Sequence, residues 1–124
     1  MNVQKVVGQL KKEYPGKKII INDPENPTEI ICEIEPASEN PDKSVAIAVL
    51  DNSLKHYHEL AKETYEVLKG VLELTKEGET RFLTEGQKME IEPGEFHLAR
   101  GKETWVKVTS VPAWVPEDHI VTKS

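Results

Sequence analysis

Along this chain the apolar residues change their period once. Val3, Val6, Val7 and Leu10 recur at helical spacing, with Gln4, Lys5, Gln9, Lys11 and Lys12 elsewhere around the wheel. The pattern predicts an amphipathic helix within residues 1–13, stopped by Tyr14-Pro15-Gly16. Its apolar stripe is expected to cover the domain or a sister subunit, rather than a membrane surface or a partner.

From Lys18 onward the signals are those of strands. Ile19-Ile20-Ile21 runs into the turn cluster Asn22-Asp23-Pro24-Glu25-Asn26-Pro27. Ile30, Cys32 and Ile34 then share one face. Pro36 to Lys43 is polar and holds two of the prolines, as a connecting loop or a flap over a pocket would. Val45 to Leu50 is apolar on both faces, as a strand covered on each side should be.

The strand at His56 follows, then one from Glu63 to Gly70. Val71–Thr75 and Thr80–Leu83 flank a bend at Gly78. Met89 and Ile91 alternate with charged neighbours. Pro93-Gly94 and Gly101-Lys102 read as corners, and Trp105 to Val111 as a last long strand. Short strands at close spacing, joined by Gly and Pro turns, predict an all-β sandwich or barrel. We expect a single domain over 1–124, with the helix in 1–13, the barrel in 18–111 and a tail in 112–124.

Composition narrows the function classes. A chain of 124 residues can bury a core without staples. Its formal charge of -6 argues against nucleic acid, whose binders carry a basic footprint. The lone Cys32 cannot close an intramolecular disulfide. Residues 1–13 lack the apolar run of a signal peptide, and Val45–Leu50 is too short to cross a bilayer. A cytoplasmic protein with no membrane partner is expected.

Candidate chemistry concentrates between His56 and Gly70. Two histidines at i, i+2 point to one side of an extended strand. A hairpin linking that strand to the next would bring His56, His58 and Glu63 onto one concave face. Imidazole nitrogen and carboxylate oxygen are donors for Mn, Fe, Co, Ni, Cu or Zn.

The spacing His-x-His-x4-Glu-x6-Gly, filled by His56, His58, Glu63 and Gly70, resembles the first motif of the cupin superfamily. Gly86, Gly94 and His97 keep the spacing of the second. Three positions depart from the pattern: Leu50 replaces the usual opening Gly, Pro93 stands one place late, and Gly101 replaces a frequent Asn. These departures bear on corner geometry more than on the ligand positions.

The resemblance implies a double-stranded β-helix (a jelly-roll, or cupin, barrel) with one divalent transition metal held by His56, His58, Glu63 and His97. It further implies an enzyme acting on a small polar or anionic metabolite, of oxygenase or of isomerase or epimerase type. The alternative is a non-catalytic ligand-binding or sensing module. A zinc site of three histidines with one open position is a rival disfavoured by Glu63.

Around the centre, Tyr65 shares the face of Glu63 and is a candidate catalytic phenol, or else a core aromatic. Arg100 is a candidate anchor for a substrate carboxylate or phosphate, or else a solvated rim charge. Trp114 is expected to be buried where the tail closes one end of the barrel. His119 is a lesser candidate for the site, and a homodimer is expected.

Overall fold

The computed structural model describes residues 1–122, so the last two positions of the 112–124 tail lie outside the described residues. The helix α1 (Val3–Glu13) is capped by Asn2, whose side chain accepts from the Lys5 N–H at 3.1 Å. Ten strands follow: β1 (Lys18–Ile21), β2 (Glu29–Glu35), β3 (Ser44–Asn52), β4 (His56–Tyr57), β5 (Lys62–Lys69), β6 (Leu72–Lys76), β7 (Glu79–Leu83), β8 (Lys88–Ile91), β9 (His97–Val111) and β10 (Ile120–Val121). Among the described residues one 3₁₀ turn, Pro116–Asp118, precedes β10.

All the pairings are antiparallel, in one curled sheet with the path β1-β2-β3-β9-β4-β10, and β9 is its hub. This 15-residue strand pairs with β3, β4, β5 and β6. The corner expected at Gly101-Lys102 is instead a bulge within it. Leu50 faces Thr104 and Asn52 faces Arg100, so β9 carries extra residues there. Glu103 takes a φ of 48°. A Cβ at Gly101 would overlap the Thr104 side chain, and glycine is what admits this approach. Thr104 donates to the Val71 carbonyl at 2.7 Å and ties the bulge to the start of β6.

The expected hairpin between the His56 and Glu63 strands does not form. β4 pairs with β9 and β10, whereas β5 pairs with β8 and β9. Strand β4 has two residues, too few to turn back on a neighbour, and β9 supplies its partner instead.

Two apolar cores result. One fills the barrel, with Leu50, Val67, Leu72, Leu74 and Val106 among its members. The other lies between α1 and the outer face of β2, β3 and β9, where Val6 and Leu10 meet Ile30, Cys32, Val49 and Trp105. Burying Val6 and Leu10 contributes about 1.5–3 kcal/mol each. The helix stripe is thus used within the chain, where it covers the domain. Val45–Leu50 is buried on both faces because β3 separates the two cores. No helix among the described residues is long and apolar enough to cross a membrane.

Candidate metal centre

The cross-strand register sets His56 directly opposite His97. Their rings lie 4.2 Å apart, and His58 lies 5.1 Å from His56 and 5.6 Å from His97, centroid to centroid. Strand β5 enters from the side, its alternation sending Glu63, Tyr65 and Val67 inward. One donor atom from each of His56, His58, Glu63 and His97 falls within 4.8 Å of the others, and all four residues are buried.

Each ring is held by its Nδ1. His56 bonds the Leu54 carbonyl at 2.8 Å, His58 that of Asp118 at 3.0 Å, and His97 that of Glu95 at 3.0 Å. A carbonyl only accepts, so each Nδ1 carries the hydrogen and each neutral ring turns an Nε2 lone pair inward. His58 Nε2 and His97 Nε2 lie 3.1 and 3.4 Å from Glu63 Oε1. None of these three buried atoms has a hydrogen-bond partner once the rings are neutral. Lone pairs facing a carboxylate repel unless a cation sits among them. The donor set fits a divalent metal, and protons on the rings are the substitute when none is bound.

The electrostatics agree. Burial alone would raise the Glu63 carboxyl, but His58 and His97 overcome it and hold it down at about 2. Burial pulls His58 down, yet Glu63 and the Asp118 carbonyl outweigh it and leave it raised. His56, buried and beside His97, falls to about 3 and stays neutral.

Sequence reasoning missed Asp118. Its carboxylate accepts the N–H groups of Glu59 and Leu60 on Oδ1 (2.9 and 3.0 Å) and of Ala61 on Oδ2 (3.0 Å). Its own carbonyl holds His58. One buried tail residue therefore fixes both the His58 ring and the link from His58 to Glu63. Pro116, which opens the turn that carries Asp118, is the only local signal; nothing in the sequence indicates contact with residues 58–61.

Beside the cluster opens a cavity of about 180 Å³, with His56, Glu63, Tyr65, Trp114 and His119 on its wall. Tyr65 is 7% exposed, and its ring stands edge-on to His97 at 5.9 Å. Burial, with the charges of Glu63 and Glu29, pushes its hydroxyl pKa well up. Trp114 is half-buried rather than fully buried. His119 stacks on His56 at 4.3 Å, so the tail brings a fourth imidazole to the site. Its Nδ1 is buried without a partner among the described residues.

Arg100 is exposed and off the cavity wall. It stands out of phase with the inward pair His97 and Ala99, so the alternation of β9 turns it outward. The anion anchor considered for it has no place there.

No protein-family profile and no curated protein matches this chain. Among solved structures, KdgF from Halomonas sp. aligns with a TM-score of 0.68 at 20% identity, over 78% of this chain and 89% of that one. A Streptomyces Pac13 variant with uridine aligns at 0.74 and 13% identity, over 86% and 85% of the two chains. A variant of Bacillus subtilis oxalate decarboxylase aligns at 0.73 and 12% identity, covering 87% of this chain but 31% of that one. At such identities the likeness speaks for the fold. With its strands curled around a buried His/Glu cluster, and with these neighbours, the chain has a cupin-type fold.

Proposed function

We propose that this protein is an enzyme that binds one divalent transition metal through His56, His58, Glu63 and His97 and acts on a small polar molecule in the adjoining cavity. The convergence of the unpartnered Nε2 atoms of His58 and His97 on Glu63 carries the reading. Imidazole and carboxylate donors suit Fe, Mn, Co, Ni, Cu or Zn. When bound, such an ion supplies Lewis-acid polarisation of a substrate oxygen, as in isomerase or epimerase chemistry, or electron transfer to dioxygen, as in oxygenase chemistry.

The chain's own residues do the rest. Glu63, buried and ionised, offsets part of the ion's charge. Tyr65 keeps its proton, so its hydroxyl is a donor beside Glu63 on the cavity wall. Apolar wall residues such as Ile31, Leu50 and Val108 exclude water and strengthen every polar contact made there. His119 adds an imidazole outside the four-donor set, which favours an enzyme over a binding-only module.

An anionic substrate, one of the classes expected from the sequence, would find its counter-charge in the bound ion alone. Among the described residues no lysine or arginine lines the cavity.

The test is elemental analysis of protein purified without an affinity metal column, with identification of any co-purified small molecule. About one transition-metal ion per chain is expected, and the aerobic–anaerobic comparison of activity on that molecule separates the two chemistries. Chains that take up no metal at saturating Fe²⁺, Co²⁺, Ni²⁺ or Zn²⁺ refute the proposal.

A further inference from the structure

The polar groups on the cavity wall divide into those already bonded and those left free. Ser44 Oγ accepts from the Trp114 N–H at 2.8 Å, Ser53 Oγ accepts from the Ala99 N–H at 2.9 Å, and Ser110 Oγ donates to the Pro112 carbonyl at 2.7 Å. Glu29, Glu33 and Glu35 also line the cavity, and none of their carboxylates has a hydrogen bond or ion pair among the described residues. Glu29 and Glu33 are half-buried on one face of β2 with Ile31 between, and Glu35 is exposed past a register shift. Glu63, 3% exposed, borders the same space, with its unpartnered Oε1 turned to His58 and His97.

Of the three β2 acids Glu29 is set deepest in apolar surroundings. Its cross-strand partner is Leu50, a member of the barrel core at 1% exposure. Burial, and then the charge of Glu63, push the Glu29 carboxyl up to about 7. An unpaired acid among apolar residues gains from a cation more than a solvated one does. Tyr65 and Trp114 stand on the same wall, and aromatic rings attract positive charge over their faces. Away from the metal centre an anion would instead meet Glu29 and Glu33, with no lysine or arginine beside them on the wall among the described residues.

We propose that the cavity takes a small organic cation, a protonated amine or amidine on an apolar body, with its charge on Glu29 and another polar atom toward the His56, His58, Glu63 and His97 cluster. The second contact rests on the metal reading above; the first does not.

Three hydroxamates of equal length test it on Co²⁺-loaded protein: β-alanine hydroxamate with an ammonium tail, butyrohydroxamate with a methyl, and succinate monohydroxamate with a carboxylate. The shared chelating head holds the metal contact constant, and the visible Co²⁺ spectrum reads binding. The ammonium probe should bind roughly tenfold to a hundredfold tighter than the neutral one, and the carboxylate weakest. In Glu29→Gln the ammonium advantage should vanish while the affinity of the neutral probe stays.

Benzamidine, benzamide and benzoate, titrated calorimetrically into metal-free protein, give the same charge order without the metal. That order in protein that takes no Co²⁺ supports the cation site and removes only the metal reading. A carboxylate probe binding as tightly as its cationic counterpart in both series overturns the proposal. So does an ammonium advantage undiminished in Glu29→Gln. Should that variant fail to fold, the order in the unaltered protein decides.

Discussion

Removing the Asp118 carboxylate should loosen the metal centre without touching a donor atom. In Asp118→Ala three N–H groups, those of Glu59, Leu60 and Ala61, lose acceptors now at 2.9, 3.0 and 3.0 Å. A hydrogen bond to a charged group contributes about 1.5–3 kcal/mol. Residues 59 and 60 are exposed, so water can take over part of that contribution. A loss of about 2–4 kcal/mol in folding stability follows, larger than a surface change gives. The link from His58 to Glu63 would then sample other geometries. A lost supporting contact of this kind weakens metal affinity by roughly 10–100-fold.

Chelator competition with Co²⁺ measures the affinity, and urea unfolding the stability. Asp118→Asn, which keeps an acceptor but not the charge, should fall between. The NMR tautomer of His58 gives a site-specific reading, because its Nδ1–H bond to the residue-118 carbonyl depends on the same turn. Undiminished metal affinity in Asp118→Ala would refute this role for the tail.

Three further outcomes can be checked. Glu63→Gln should keep the fold but lower metal affinity at least tenfold by chelator competition, because it removes the only negative charge in the donor set. Glu29 is raised in the folded state to about 7 from an ordinary 4.5, so the folded protein resists its ionisation and stability falls as pH rises through that window. Glu29→Gln should abolish that fall in metal-free protein, a difference of roughly 2–3 kcal/mol above pH 7; parallel urea-midpoint profiles would contradict it. Leu10→Ala should cost about 2–5 kcal/mol by urea unfolding, with no change in metal content, since Leu10 belongs to the outer core alone.

What the sequence displayed and what it hid have physical reasons. Periodicity is local, so α1, β3, β5 and the β6–β7 hairpin stood out in it. The hairpin has Glu77 and Gly78 at φ of 50° and 80°, where the bend was expected. Pairing is not local. Nothing in Gly101-Lys102-Glu103 distinguishes a turn from a bulge, and the outcome depends on Thr104 reaching Val71. For the same reason β9 did not appear as the hub, and a hairpin seemed to join His56 to Glu63.

The four donor residues were legible because their types and spacing belong to one motif pair. Asp118 was not, because its work is to accept backbone N–H groups 57 to 59 residues away, and backbone donors leave no trace in a sequence. Arg100 illustrates the converse. Proximity to His97 in the chain suggested a role, but strand alternation faces it outward.

The central claim is that His56, His58, Glu63 and His97 bind one metal together. X-ray absorption on protein loaded with one equivalent of Co²⁺ tests it most directly, because imidazole rings give a distinctive multiple-scattering signature. The account predicts three imidazoles in the unaltered protein, two in each of His56→Ala, His58→Ala and His97→Ala at saturating Co²⁺, and three still in His119→Ala. A first shell with oxygen alone, or three imidazoles persisting in His97→Ala, would contradict it.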